Sequence, residues 1–387
     1  SIMQKISNSD FRFVSKVDIR FQNLDFEVIK RNLIDYKFSR IALIVDSKVN
    51  KLKKVSDLIL EFKNNFSSTI FINDAIEPDY NFLEQKRYEF SPETDCILAI
   101  GGGSTMDLAK GLAVLIVNDG PSIEYKGFPR LKNKPIPVIT IPTLAGTGSE
   151  IAYNAVFTDS DKRMRLGINS ELNYPIFCII DPELSLSAPR SAVISGILDC
   201  LNHIIEGFIS NNSTIFSRQI SKSAFELWYS SVILMRSDFS DLNSRRKMYM
   251  ASIFANQALN NVGSGLGGDF SYPLGALYGV PHGLGEGIFL PYLYRLYVDR
   301  GFSDFSDLYD SISNKESGLS VKGKSLKFCE LLEELYGALD VPTHLNEFGI
   351  DRSMISILVD QVRSSFDSAP VEFNEIDAHK LFEHFIK

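Results

Sequence analysis

Five short, continuous apolar runs punctuate the first half of the chain: 41–45 (IALIV), 69–73 (TIFIN), 96–100 (CILAI), 137–141 (PVITI) and 176–180 (IFCII). Each is rich in β-branched residues and bounded by turn residues, the pattern of strands buried on both faces. Between them lie stretches with helical spacing, such as 55–63 and 106–117. Buried strands alternating with helices predict a doubly wound, mostly parallel sheet, which binds ligands outside the carboxyl ends of its strands. After Asp181 the texture changes. The segments 192–209, 217–235, 244–259, 326–336 and 352–365 carry apolar residues at i, i+3 and i+4, and no further strand run follows. The reading is an α/β dinucleotide-binding domain over 1–185 and an all-α domain over 186–387. The boundary falls in DPELSLSAPRS, where Pro182 and Pro189 punctuate the chain.

Composition narrows the function classes. With 387 residues, 44% of them apolar, the chain can bury a sizeable core. The net charge of −8 recommends neither nucleic acid nor an anionic membrane as a partner. No run approaches the ~20 apolar residues of a membrane span. The opening residues SIMQKISNSDFRF contain no apolar signal core. Cys96, Cys178, Cys200 and Cys329 form no CxxC pair and are expected as reduced, buried thiols of a cytoplasmic protein.

The strongest local signal is Gly101-Gly102-Gly103-Ser104-Thr105, directly after the strand CILAI and directly before a helix. Glycines let a backbone approach a bound group, and a helix start offers free N–H donors and a positive dipole end. Anionic phosphate fits that place better than an empty turn does. A second loop, 142–150 (PTLAGTGSE), follows the strand PVITI and offers hydroxyls to the same crevice. A third glycine run, 263–268 (GSGLGG), satisfies G-x-G-x-x-G but has no strand before it. It is expected as a flexible helix–helix connection.

Five histidines exist; His344, His379 and His384 are expected at the surface. His203 lies four residues after Asp199 on a helical segment, so the two share a face. That pair suits either a core hydrogen bond or a shared divalent metal. His282, in the rigid turn Val280-Pro281-His282-Gly283, supplies a second imidazole. Three protein ligands with an open position make the pattern of a catalytic metal.

Taken together, 101–107 (GGGSTMD), 141–150 (IPTLAGTGSE), 181–184 (DPEL), Asp199-x-x-x-His203 and 273–283 (PLGALYGVPHG) resemble the iron-containing, or group III, metal-dependent alcohol dehydrogenases. The resemblance covers about residues 10–387. It implies an α/β nucleotide domain and a helical metal domain, with the active site between them. It also implies NAD(P) on Gly101, Gly102, Gly103 and Ser104, with Asp107, Thr143 and Thr147 alongside. Asp46, at the end of the first strand run, takes the place of an acidic residue facing the adenine ribose and favours NAD over NADP. The implied metal is Fe2+ or Zn2+, held by Asp199, His203 and His282. The family's fourth ligand falls on Gly268, and a further active-site histidine on Tyr272. Asp269 is a candidate replacement ligand, and Tyr272 a candidate catalytic residue that donates to a substrate hydroxyl or relays a proton.

The implied reaction oxidises a primary alcohol to an aldehyde, with the metal as Lewis acid and the nicotinamide as hydride acceptor. Room beside Gly268 suggests a sugar or sugar acid as the small-molecule substrate. One branch that the chain resembles acts on the C8 hydroxyl of 3-deoxy-D-manno-octulosonate in lipopolysaccharide synthesis. Lys162, Arg163 and Arg165 are either a solvated loop or a carboxylate contact. A homodimer is the default assembly. Two alternatives stand beside this reading: a cyclase resembling dehydroquinate synthase, and a non-catalytic NAD-binding protein whose metal site has decayed.

Overall fold

The computed structural model describes residues 9–387. The chain divides into two compact units, one of residues 15–188 and one of residues 9–14 with 189–387. The first unit is built on six parallel strands: β1 (Asp18–Phe21), β2 (Arg40–Asp46), β3 (Ser67–Asn73), β4 (Cys96–Gly101), β5 (Val138–Pro142) and, after an intervening hairpin, β8 (Phe177–Ile180). Their order is β1-β8-β5-β4-β2-β3. The five apolar runs supply β2, β3, β4, β5 and β8.

Burial on both faces explains why the runs of β2, β4, β5 and β8 are continuous rather than alternating, whereas β3, expected to be buried likewise, is a half-exposed edge strand. Along β2, Ala42 and Ile44 join the core on one side of the sheet, with Ile97 and Ala99 of β4. Ile41, Leu43 and Val45 join the other, with Leu98 and Ile100. The helices of this unit include α1 (Phe26–Asp35), α2 (Lys53–Asn65) and α3 (Gly103–Leu115). The chain runs outward from β2 to β3 and then returns to place β4 on the other side of β2. The strand order therefore reverses between β2 and β4, and a crevice opens at their carboxyl ends.

Two features of this unit escape the sequence pattern. β1 is a short edge strand of composition DIRF, too polar to register as buried. β6 (Asn154–Asp159) and β7 (Met164–Asn169) form a separate antiparallel hairpin, and along β6 the residues are buried alternately. In that region Arg165 pairs with Glu77 at 3.4 Å, so this cation already has an acidic partner.

The second unit is helical. Its core helices are α4 (Arg190–Ile209), α5 (Ile215–Ser237) and α6 (Leu242–Val262). By length and composition α4 could cross a membrane, but 83% of its most apolar stretch is buried inside the protein. Trp228 of α5 donates its indole N–H to the Ile197 carbonyl of α4 at 2.9 Å, fixing one helix on the other. Beyond α6 come the shorter helices α7 (Ser271–Tyr278), α8 (His282–Gly287) and α9 (Leu290–Asp299). The break between units falls at 188/189 rather than 185/186. Residues 9–14, placed with the α/β domain by the sequence, belong to the helical unit. Val14 exchanges hydrogen bonds with the Asn261 amide at 2.6 and 2.9 Å, and Phe11 and Phe13 lie against Phe216. All four cysteines are free and buried.

Candidate metal centre and nucleotide loops

On α4, Asp199 and His203 sit one turn apart on the same face. On α8, His282 and Glu286 repeat that spacing. The two pairs meet. The ligand atoms of Asp199, His203, His282 and Glu286 all lie within 4.8 Å of one another. His203 Nε2 stands 2.9 Å from Asp199 Oδ1 and 3.9 Å from Glu286 Oε1. His282 Nε2 stands 3.7 Å from Asp199 Oδ1 and 3.3 Å from Glu286 Oε2.

Glycine permits this approach of helices. A Cβ on Gly283 would lie 2.0 Å from the Ser195 carbonyl oxygen, and one on Gly287 would lie 2.3 Å from Leu198 Cβ. Those two glycines, four apart on α8, let it lie directly on α4. Larger residues would force the helices apart and separate the ligand pairs.

The donor set fits a divalent cation. A four-coordinate ion with bonds of about 2.1 Å has ligand–ligand edges of roughly 3.4 Å, which the observed separations bracket. Asp199 Oδ1 and Glu286 Oε1 are buried and meet no donor in hydrogen-bonding geometry. An unmet buried polar group costs about 1–3 kcal/mol, more when charged, so a protein rarely leaves two together without a ligand to serve. Burial, then the Asp199 charge, holds the Glu286 carboxyl well above its usual range. Burial pushes Asp199 up too, but the His203 charge, a hydrogen bond to Glu286 and the His282 charge outweigh it and hold it low. Two carboxylates this close cannot both stay charged without a counter-charge, and a divalent cation supplies one.

The surrounding groups aim the imidazoles. Ser271 Oγ donates to the Gly268 carbonyl at 2.7 Å, which commits its only proton. It therefore accepts from His282 Nδ1 at 2.8 Å, leaving the lone pair on Nε2, the nitrogen that faces the cluster. Gly268 thus contributes through its backbone although it lacks an imidazole.

Two expectations from the sequence change here. Asp269 lies outside the cluster: its Oδ2 accepts from Ser365 Oγ, and the fourth carboxylate or imidazole that could serve a metal is that of Glu286. His282 does not sit in a turn but opens α8, with Pro281 as its N-cap. Tyr272 lies beside the centre, its ring centroid 5.7 Å from that of His282. Glu286 left a signal in the sequence, His282-x-x-x-Glu286, which mirrors Asp199-x-x-x-His203. The glycines of HGLGEG carry little helical signal and mask it.

One turn beyond His203 on α4 lies Glu206, fully enclosed. Its carboxylate accepts the Gly268 N–H at 2.7 Å. Burial pushes its pKa up to about 7, partly offset by that hydrogen bond and by the nearby His203 charge.

In the α/β unit, the candidate nucleotide residues gather at the carboxyl ends of β2, β4 and β5. Gly101 has no room for a side chain, since a Cβ would lie 2.8 Å from Asp46 Cβ. A Cβ on Gly103 would lie 2.8 Å from the Thr147 methyl. Thr143 N–H donates to the Gly101 carbonyl at 2.9 Å. Gly102, the N-cap of α3, faces open space, where a Cβ would meet nothing within 4 Å. An open approach at the N-terminus of a 13-residue helix suits a phosphate. Ser104 Oγ instead donates to the Ile76 carbonyl. Asp107 turns away from the helix start and accepts from Ser149 Oγ and, at 3.0 Å, from the Val156 N–H.

The sequence reading passed over Lys110, which is fully buried and holds the second loop in place. Its Nζ donates to the carbonyls of Ser149, Ala152 and Asn154 at 2.8–3.0 Å.

Comparison with known proteins agrees with this arrangement. Residues 17–182 match the family described as iron-containing alcohol dehydrogenase. Residues 193–385 match the C-terminal domain of the Fe-containing alcohol dehydrogenase family. The chain is 27% identical over 315 residues to 1,3-propanediol dehydrogenase of Klebsiella pneumoniae, covering 80% of this chain and 81% of that protein. It is 29% identical over 352 residues to long-chain-alcohol dehydrogenase 1 of Geobacillus thermodenitrificans, covering 89% and 88%. The crystal structure of sulfoacetaldehyde reductase from Bifidobacterium kashiwanohense in complex with NAD+ superposes with a TM-score of 0.87 at 24% identity, covering 98% and 99%. Two family matches that together span nearly the whole chain leave one assignment: this protein belongs to the iron-containing alcohol dehydrogenase family, oxidoreductases that act on CH–OH groups.

Proposed function

We propose that the chain is an NAD-dependent, metal-dependent alcohol dehydrogenase that interconverts a primary alcohol and its aldehyde. The observation that carries this reading is the convergence of Asp199, His203, His282 and Glu286. In our reading they hold one divalent cation, iron by family. A cation there supplies Lewis acidity toward the substrate hydroxyl, and the nicotinamide supplies the hydride acceptor. The protein's own part is positioning. Ser271 keeps His282 in the ligating tautomer. Gly283 and Gly287 hold α8 against α4. Tyr272, beside His282, is placed to exchange a proton with the substrate hydroxyl. Gly101, Gly102 and Gly103, with Thr143 and Thr147, bind the cofactor's pyrophosphate, and Asp46 faces its ribose and favours NAD.

The substrate we infer is a hydroxylated primary alcohol, a sugar or sugar acid. The C8 hydroxyl of 3-deoxy-D-manno-octulosonate, in lipopolysaccharide synthesis, meets that description. We place the enzyme in the cytoplasm, where four free buried thiols remain reduced, and as a homodimer. A decayed metal site is disfavoured because Glu286 supplies the ligand that Gly268 lacks. A phosphate-clamping cyclase is disfavoured because the groups around the centre, Glu206, Asp269 and Glu286, are acidic.

The test combines elemental analysis with NAD reduction over a panel of primary alcohols and sugars. One metal per chain and turnover that chelation abolishes are expected. Full activity in chelated His203→Ala protein would defeat the mechanism.

A further inference from the structure

One helical turn along α4 from the metal ligands, a cavity of about 130 Å³ opens within the helical unit. A water takes roughly 30 Å³ in the liquid, so the space exceeds what one or two waters need. Its wall carries polar groups with nothing to bind. Asn202 is 1% exposed, yet neither its Oδ1 nor its Nδ2 has a hydrogen-bond partner. The Tyr294 hydroxyl, on a side chain 2% exposed, has none either. Glu206 completes the set.

The third glycine run forms the facing wall, and its glycines keep these groups reachable. A Cβ on Gly267 would lie 2.4 Å from Asn202 Oδ1, and one on Gly265 would lie 3.5 Å from Glu206 Oε1. The run is a shaped wall, not the flexible connection that its composition suggests.

We propose that this cavity binds the uncharged, hydroxyl-bearing chain of a polyhydroxylated substrate, adjacent to the alcohol carbon that reacts. The inference rests on the alcohol dehydrogenase reading above and names the substrate class for it. Three ligand chemistries compete, and the donor inventory separates them. An anion would meet the Glu206 carboxyl, and no Lys or Arg among the described lining residues offsets it. A bare cation would suit Glu206 and Asn202 Oδ1 but leave the Asn202 N–H and the Tyr294 O–H without acceptors. Hydroxyls both donate and accept, so a run of them serves all three side chains at once. An alkyl chain serves none and would leave buried polar atoms unmet, the arrangement by which a site rejects an analogue lacking its hydroxyls.

A matched pair of five-carbon ligands tests this. Binding of D-arabinitol and of 1,5-pentanediol to the metal-loaded full chain, without NAD, is measured by calorimetry or ligand-observed NMR. Three added hydrogen-bonding groups should favour arabinitol by about tenfold or more. Asn202→Leu and Tyr294→Phe should each cut that preference several-fold at unchanged metal content. Tyr294→Phe removes one oxygen and keeps the ring, so it decides the matter even where Asn202→Leu fails to fold. Equal binding of the two ligands, or a preference undiminished in a folded, metal-loaded Tyr294→Phe chain, overturns the proposal and leaves the cavity to water. If pentanediol is oxidised with NAD while binding as tightly as arabinitol, the substrate class falls and the enzyme reading stands. If no alcohol reduces NAD, the enzyme reading falls by itself.

Discussion

The nucleotide loops and the metal centre solve the problem of binding in opposite ways. The loops are made of backbone. Gly101, Gly102 and Gly103 are adjacent in sequence, and what matters is the absence of side chains at the switch between β2 and β4. The metal centre is made of side chains. The four residues that could ligate come in two pairs, distant in sequence, and they meet only because α8 lies on α4. A site of the first kind is fixed by a short contiguous motif. A site of the second kind needs the tertiary fold.

Substitutions can break that comparison if the two sites are less independent than their construction implies. The largest effect is expected for His203→Ala, which removes a ligand from the α4 pair. Bound metal should fall from one per chain to none and NAD reduction by more than about 10³-fold, while NAD binding persists. Glu286→Gln keeps size and hydrogen bonding but discards the charge. If it is a ligand, metal affinity measured by competition with a chromophoric chelator should fall by more than about 100-fold, beyond the loss typical of groups outside the coordination shell. An unchanged affinity removes Glu286 from the set.

Glu206 offers a third handle through pH. Its folded pKa of about 7 lies above the ordinary 4.5. The folded metal-free chain therefore holds a proton there that the unfolded chain releases from about pH 4.5 upward. The stabilisation is present in full below 4.5 and is lost as pH rises through 7. Glu206→Gln should accordingly be more stable than the parent at pH 8, by up to about 3 kcal/mol, with the gap closing below pH 5. Denaturant midpoints across that range measure it; a gap independent of pH contradicts the assignment.

Ser271→Ala, which frees the His282 tautomer without touching a ligand, should weaken metal binding by about 10–100-fold and leave the fold intact. The smallest effect belongs to the backbone-built site. Gly102→Ala adds one methyl to open space, so the protein should fold normally with metal content unchanged. The NAD dissociation constant should rise by about tenfold, roughly 1.4 kcal/mol. An unaltered NAD affinity would mean that the phosphates lie elsewhere.

How much of this was legible in the sequence follows from the same contrast. β2, β4, β5 and β8 were readable because strands buried on both faces are unbroken apolar runs, and the edge strand β3 was readable because its half-exposed residues are still mostly β-branched and apolar. β1 was not, because an edge strand of DIRF carries too little apolar signal, and the 154–169 hairpin was masked by its half-buried alternation. The Gly101 loop and the Asp199–His203 pair were readable as local spacing. Glu286 was not, because glycines that signal a turn in isolation here signal a helix pressed on another helix. Asn202 and Tyr294 gave no signal, since only burial without partners marks them. Asp107, placed beside the glycine loop by the resemblance, has its carboxylate engaged by Ser149 and Val156, contacts that sequence spacing does not reveal.

The central claim is that two carboxylates and two imidazoles share one cation. Crystals of the iron-loaded chain, with diffraction recorded on both sides of the iron absorption edge, address it directly. A single anomalous peak about 2.0–2.2 Å from His203 Nε2, His282 Nε2 and carboxylate oxygens of both Asp199 and Glu286 is the expected result. A peak bonded to Asp269 instead of Glu286, or no peak among these four residues, would contradict it.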